Sequence, residues 1–343
     1  MSVAELTRPS AIDLFAGCGG LTLGLSQAGF EVLAAVEIEP LAASTYGANH
    51  RRVKLIRENI RTVNILALRR ALGLQRGSLT LLAGCPPCQG FSTLRTRNQA
   101  ISVRDRRNDL LFQFVRFVDE FMPHHIMVEN VPSLAKSRRI SKFRSLLEDR
   151  GYTVRVGIVN AADYGVPQRR LRMVLIASRK KLPQLFEPSG LLTSSVRDAI
   201  GDLVPPAQSR DRLHAWPEQR TNRIKKLIAC VSKNGGSRHS LPEELRLSCH
   251  RKTTGFNDVY GRMRWDDVAP TITSGCIDPS RGRFLHPSQN RAISLREAAL
   301  LQTFPHDYYF DPARGKHAIA AMIGNALPPA LVRRLAREIA QIR

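Results

Sequence analysis

The sequence predicts an α/β fold: a mainly parallel β-sheet covered by helices, with a second, smaller, irregular β-containing module. Three observations predict it. Short β-branched or apolar runs alternate with amphipathic stretches through the first half of the chain, the pattern of a sheet buried on both faces. A glycine-rich turn, Asp13-Leu14-Phe15-Ala16-Gly17-Cys18-Gly19-Gly20, follows the first apolar run, and an acid, Glu37, ends the second. Beyond Ala177 the alternation fades, while Pro, Ser, Arg and His become frequent.

In chain order, strands are expected at residues 11–15, 32–36, 79–83, 126–128, 154–159 and 173–176. Between them, helical spacing covers residues 21–28, 41–48, 110–121 and 141–150. The helix at 110–121 is apolar around most of its circumference, so it should be buried. Residues 201–286 carry no legible alternation and form the irregular module. Helical periodicity resumes at 295–302, and a final amphipathic helix is expected at 329–342. No internal repeat or low-complexity segment interrupts the chain.

Charge narrows the function. The 343 residues hold 52 Lys and Arg against 29 Asp and Glu, a formal net charge of +23. Self-repulsion of that size opposes folding unless a polyanion relieves it, which points to nucleic acid. No apolar stretch approaches the roughly 20 residues of a membrane span. The opening MSVAELTRPSAIDLF lacks a basic then apolar leader, so a cytoplasmic place is expected. Cys85 and Cys88 form a CxxC, but zinc would need a second close pair, and Cys18, Cys230, Cys249 and Cys276 are scattered. No metal site is expected.

Glycines in a strand-to-helix turn let backbone approach a ligand closely. The spacing disfavours a dinucleotide, because GxGxxG from Gly17 would need glycine where Thr22 stands, and no GKS or GKT marks a P-loop. Glu37 ends its strand where an acid can accept both hydroxyls of a ribose. A turn that serves only packing is the competing reading. Farther along, the strand at 79–83 runs into Gly84-Cys85-Pro86-Pro87-Cys88-Gln89-Gly90-Phe91-Ser92. Two prolines fix the backbone before Cys88, glycines flank it, and following arginines would favour its thiolate.

These motifs resemble those of the C5-cytosine DNA methyltransferase family, in the family's order along nearly the whole chain. Phe15 to Gly20 resembles its methionine-binding loop, Glu37 its ribose-binding acid and Pro87-Cys88 its nucleophile motif. Glu129-Asn130-Val131 is similar to the ENV motif, and Gln168-Arg169-Arg170-Leu171-Arg172 to QxRxR. Arg296-Glu297 through Leu301-Gln302-Thr303-Phe304-Pro305 resembles RExxxLQxFP, and Gly324-Asn325-Ala326-Leu327-Pro328 the closing GN motif. One position departs: Glu58-Asn59-Ile60 stands where the family commonly has Asp before Ile, so Asn59 must accept the adenine amine in its place.

The resemblance implies a Rossmann-like methyltransferase sheet and S-adenosyl-L-methionine as cofactor. The catalytic residues would be Cys88, Glu129, Arg170 and Arg172. The cofactor would lie on Phe15, Ala16, Gly17, Gly19, Gly20, Glu37, Ile38, Asn59, Ile60, Pro87, Leu110, Asn325 and Ala326. Duplex DNA would meet Gln89, Ser92, Arg95, Arg97, Arg104 and Arg106, and on the module Arg262, Arg264 and Thr271. Residues 1–200 with 316–343 would be catalytic and 201–315 would recognise the target. A monomer near the nucleoid is expected, with a restriction endonuclease as a separate partner. A transfer-RNA cytosine-5 methyltransferase is the alternative within the same chemistry, although that branch has a shorter recognition region and Phe-Thr where Phe91-Ser92 stands. An inactive DNA-binding regulator is disfavoured by intact Cys88, Glu129 and Arg172.

Overall fold

The computed structural model describes residues 8–87, 110–183, 193–246 and 258–342. Two compact units emerge. One holds Met1–Asn160, Leu171–Ser189 and Leu327–Arg343, and the other Ala161–Arg170 and Gly190–Ala326. The second unit begins earlier and ends later than residues 201 and 315. One reason is local: Val196 N–H donates to Asp267 O (2.9 Å) and Arg197 N–H to Trp265 O (2.9 Å).

The first unit is built on a seven-stranded sheet of order β3-β2-β1-β4-β5-β7-β6. Its strands are β1 Ser10–Leu14, β2 Glu31–Val36, β3 Lys54–Ile56, β4 Leu81–Gly84, β5 His125–Asn130, β6 Thr153–Asn160 and β7 Leu171–Ser178. β1 to β5 pair in parallel, whereas β7 lies antiparallel to both β5 and β6. Around the sheet stand α1 Gly20–Gln27, α2 Pro40–Asn49, α3 Ile65–Ala71, α4 Leu110–Phe121 and α5 Arg138–Glu148. The edge strand β3 is three residues long and only partly buried, too short for a period-two pattern to register in the sequence.

Burial follows the expected logic. β1 and β4 are almost wholly enclosed, and α4 buries Leu110, Leu111, Phe114, Val115, Phe117, Val118 and Phe121. It is nevertheless amphipathic: Arg116 and Asp119 lie outward, and Arg116 donates to the carbonyls of Ile60 (3.1 Å) and Arg61 (2.9 Å). In the same unit, Gly24 of α1 lies so close to Val332 that a side chain would collide with it. Only glycine allows that approach.

The second unit carries α6 Val196–Ile200, α7 Asn222–Cys230, α8 Leu295–Leu301 and α9 Gly315–Asn325, and the chain then returns to the first unit as α10 Pro329–Ala340. The β content expected of it reduces, among its described residues, to isolated bridges such as Arg262↔Leu285 and Leu285↔Ala292. Side chains replace the missing ladders. Arg262 is fully buried and donates to the carbonyls of Val231 (3.0 Å), His286 (3.0 Å), Gln289 (2.5 Å) and Ile228 (2.7 Å). α8 starts with a capping box in which Ser294 and Glu297 bond reciprocally, and Arg291 clamps Glu297 at 2.6 and 2.7 Å.

Candidate active site

The carboxyl end of a parallel sheet is where such folds bind ligands. Here β1 ends in a loop of unusual backbone: Phe15, Gly17 and Gly19 all have positive φ (62°, 56° and 98°). Phe15 is strained there, since a side chain disfavours that conformation. Glu37, at the end of β2, reaches across to this loop. Its carboxylate accepts from Gly17 N–H (2.8 Å) and Glu39 N–H (2.7 Å). Burial raises its pKa from the ordinary carboxylate range, and those backbone bonds pull the other way. The carboxylate keeps acceptor capacity for a ligand.

Beneath the loop lies a polar network. Asp13 of β1 is fully buried, and Thr22 Oγ1 donates to its Oδ2 (2.7 Å) while lying 2.8 Å from the Tyr46 hydroxyl. Among the described residues no donor reaches Asp13 Oδ1. Desolvation pushes the Asp13 pKa up to about 8, so the side chain is mostly neutral at pH 7. Above it, Gly17 faces open space, and Ile38 exposes 59% of its surface beside Glu37. An acid with spare acceptors, an open glycine turn and a bare apolar side chain suit a ribonucleoside with an aliphatic tail.

The second cluster gathers at β4, β5 and β7. Arg172 Nε meets Glu129 Oε1 at 2.6 Å, and both side chains keep a small exposed fraction, 14% and 12%. Asn130 donates from Nδ2 to Pro86 O (2.8 Å), which pins the turn immediately before Cys88. Sequence reasoning passed over Asn130 as a positioning residue, although it stood inside a recognised motif. Cys85 is held well above the ordinary thiol range, first by burial and then by the Glu129 charge, which Arg172 only partly offsets. It is a poor thiolate.

Arg170 does not join this cluster. It belongs to the second unit, is 2% exposed, and donates to Ile272 O (2.9 Å), Gly324 O (3.0 Å) and Ala326 O (3.1 Å). Gln168 and Gln302 complete the knot: Gln168 Nε2 donates to Gln302 Oε1 (2.9 Å), and Gln302 Nε2 to Ile323 O (2.6 Å). Three motif segments and the stretch of chain at Ile272 are thereby tied through side-chain amides and a guanidinium. The expectation of a catalytic Arg170 is corrected on this ground. Arg262 is corrected likewise, because a fully buried guanidinium bonded to carbonyls cannot read a base.

The other expected residues divide. Ala16, Gly20, Ile60 and Leu110 of α4 are buried, which limits any ligand contact to their edges. Asn59 Oδ1 already accepts from Arg61 N–H (3.1 Å) and retains one lone pair. Pro87 and Asn325 are exposed, Ala326 offers its carbonyl to Arg170, Arg264 is exposed, and the Thr271 hydroxyl donates to Arg169 O (2.7 Å). Cys88, Gln89, Ser92, Arg95, Arg97, Arg104 and Arg106 lie outside the described residues.

A family model described as C-5 cytosine-specific DNA methylase matches residues 10–341. The chain belongs to that family. A relative named Type II methylase M.HgiDII, from Herpetosiphon aurantiacus, is 38% identical over 96% of this chain and 94% of its own length. The Type II methyltransferase M1.HphI of Haemophilus parahaemolyticus is 34% identical, over 96% of this chain and 86% of its own. An E. coli prophage chain, solved and described as a DNA modification methyltransferase, superposes with a TM-score of 0.74 at 23% identity, covering 97% of this chain and 99% of its own. That likeness speaks for the fold. As a family member the protein is a DNA (cytosine-5-)-methyltransferase with a Rossmann-like sheet. No helix among the described residues is long and apolar enough to cross a membrane.

Proposed function

We propose that this methyltransferase acts on a cytosine turned out of duplex DNA, with Cys88 as nucleophile and the Glu129–Arg172 pair as its partner on the pyrimidine. The observation that carries this reading is the 2.6 Å ion pair next to Asn130, whose amide pins Pro86 two residues before Cys88. Aromatic C5 is a weak nucleophile. Attack of the Cys88 thiolate on C6 breaks the ring's conjugation and makes C5 enamine-like. Glu129 would hold a proton at N3 and contact the exocyclic amine, while Arg172 bonds O2 and orients Glu129. Loss of the C5 proton and departure of the Cys88 sulfur then restore the aromatic ring. A stacked base cannot be attacked from above and below its plane, so the cytosine must leave the helix.

S-adenosyl-L-methionine would supply an electrophilic methyl group to C5. Glu37 would accept its ribose hydroxyls, Ile38 and Asn59 would meet the adenine, and the loop from Phe15 to Gly20 would cradle the methionine part. Gln89, Ser92, Arg95, Arg97, Arg104 and Arg106 would contact the DNA. Arg264 and Thr271 would serve the second unit, which reads the target. The protein would work as a cytoplasmic, nucleoid-associated monomer, alongside a separately acting endonuclease of a restriction-modification pair.

Transfer of labelled methyl groups tests this directly. Duplex DNA should be labelled and transfer RNA should not, with Cys88→Ser inactive and Cys85→Ser active. Label on transfer RNA alone, or an active Cys88→Ser, would overturn the reading.

A further inference from the structure

We infer that the outward face of α7 is a docking site for the DNA phosphate backbone, separate from the residues expected to read bases. The inference rests on duplex DNA being the substrate. α7 is amphipathic: Leu227 and Ile228 are buried in a small core with Val231, Leu241, Tyr260 and Leu285, and Ile224 packs against it. At 100° per residue, Asn222, Lys225, Lys226 and Ala229 then share the opposite face. All four are exposed. Small Ala229 between two lysine arms lets a bulky anion approach the helix closely.

The surroundings are one-signed. Between Glu218 and Glu243 the chain holds Arg220, Arg223, Lys225, Lys226, Lys233 and Arg238 without a single carboxylate. An open cleft beside α7 is lined by Glu218, Arg220, Lys225, Lys226 and Asn290 among others. Glu218 is its one acid, and Arg220 already holds it in an ion pair. Asn290 of the cleft lining accepts from the exposed Lys233 Nζ, which brings a third lysine next to the cleft through a neutral partner. Among the described residues neither Lys225 nor Lys226 has an ion-pair partner. Elsewhere in this unit arginines do find carboxylates, as exposed Arg197 finds Asp266 and half-buried Arg283 finds Asp258. Uncompensated positive charge of this kind attracts a polyanion, and an open cleft suits a polymer that continues past it.

The test is a salt series of binding titrations, by fluorescence anisotropy, with the full chain and a labelled duplex. Each neutralised phosphate contributes about −0.9 to the slope of log K against log salt. Lys225→Gln/Lys226→Gln should flatten that slope by about 1.8, Lys225→Arg/Lys226→Arg should keep it, and neither should move the methylated sequence, because phosphate contacts carry no base information. Both lysines are exposed, so the fold should survive, as circular dichroism would verify. An unchanged slope in the Gln variant overturns the inference. So does a variant that loses affinity for inorganic phosphate while its duplex binding stays intact, which would mark a small-anion site. A wild-type protein that binds no duplex would instead remove the substrate reading, and the docking site with it.

Discussion

Arg170 and Arg172 belong to one basic motif, yet they do different work. Arg172 ends in an ion pair with Glu129 that stays partly open to solvent. Arg170 is enclosed and spends its donors on backbone carbonyls of Ile272, Gly324 and Ala326. The same contrast separates the two units. The first is held by a sheet and a continuous apolar core, which leaves its charged groups at the strand ends free for chemistry. In the second, whose described residues form little regular sheet, arginines and glutamines satisfy carbonyls that a β-ladder would otherwise pair. An arginine's role therefore follows from what its neighbours leave unpaired, and the motif alone does not reveal it.

The sharpest way to break this comparison is Arg262→Ala. Removing a buried, fully bonded cation strands the carbonyls of Val231, Ile228 and His286, so stability should fall by about 3–5 kcal/mol in denaturant unfolding. Normal stability with an altered methylated sequence would mean that Arg262 reads bases after all. Glu129→Gln is the opposite case. It should cost roughly 10²–10⁴-fold in turnover, the range for a positioned proton-transfer group, with the melting temperature nearly unchanged. A large loss of stability with little loss of turnover would make the pair a structural one.

Two smaller effects sharpen the account of the first unit. Glu37→Ala should weaken S-adenosyl-L-methionine binding by about 1.5–3 kcal/mol in calorimetry, the range for bonds to a charged group. Unchanged affinity would leave Glu37 as a brace for Gly17 and nothing more. Asp13 gives a pH signature. Its pKa is about 8 folded against 3.8 when free, so above pH 4 the unfolded chain ionises while the folded one does not. Its contribution is fully present below about pH 4 and is lost as pH rises through 8. Asp13→Asn should remove a negative slope of up to about 1.4 kcal/mol per pH unit between those limits. Identical pH profiles for both proteins would show that Asp13 is already ionised in the fold.

Much of this was legible in the sequence, for physical reasons that can be named. Parallel strands β1, β2, β4 and β5 are buried on both faces and so read as apolar runs, and the glycines of residues 15–20 advertise the tight turn after β1. The direction of β7 was not legible, because periodicity reports burial and not orientation. Nor were α7 and α9, short helices in a unit without a regular alternation around them. At the candidate site, Glu37, Glu129 and Arg172 were singled out from motif and strand-end position, and the fold pairs Glu129 with Arg172 and Glu37 with the Gly17 amide. The misplacement of Arg262 shows the limit: composition marks an arginine as a DNA contact, and only packing shows that it is inside. Asn130 was visible as a letter, but its bond to Pro86 depends on β4 and β5 being neighbours.

One measurement bears most directly on the central claim, that Cys88 attacks a cytosine activated by Glu129 and Arg172. A duplex carrying 5-fluorocytosine at the methylated position cannot lose a proton from C5, so the covalent complex should persist. Peptide mapping of that complex by mass spectrometry should find the nucleotide on Cys88 in the wild type and in Cys85→Ser, at a much reduced rate in Glu129→Gln, and not at all in Cys88→Ser. An adduct on Cys85, or one that forms at the wild-type rate without Glu129, would contradict the account.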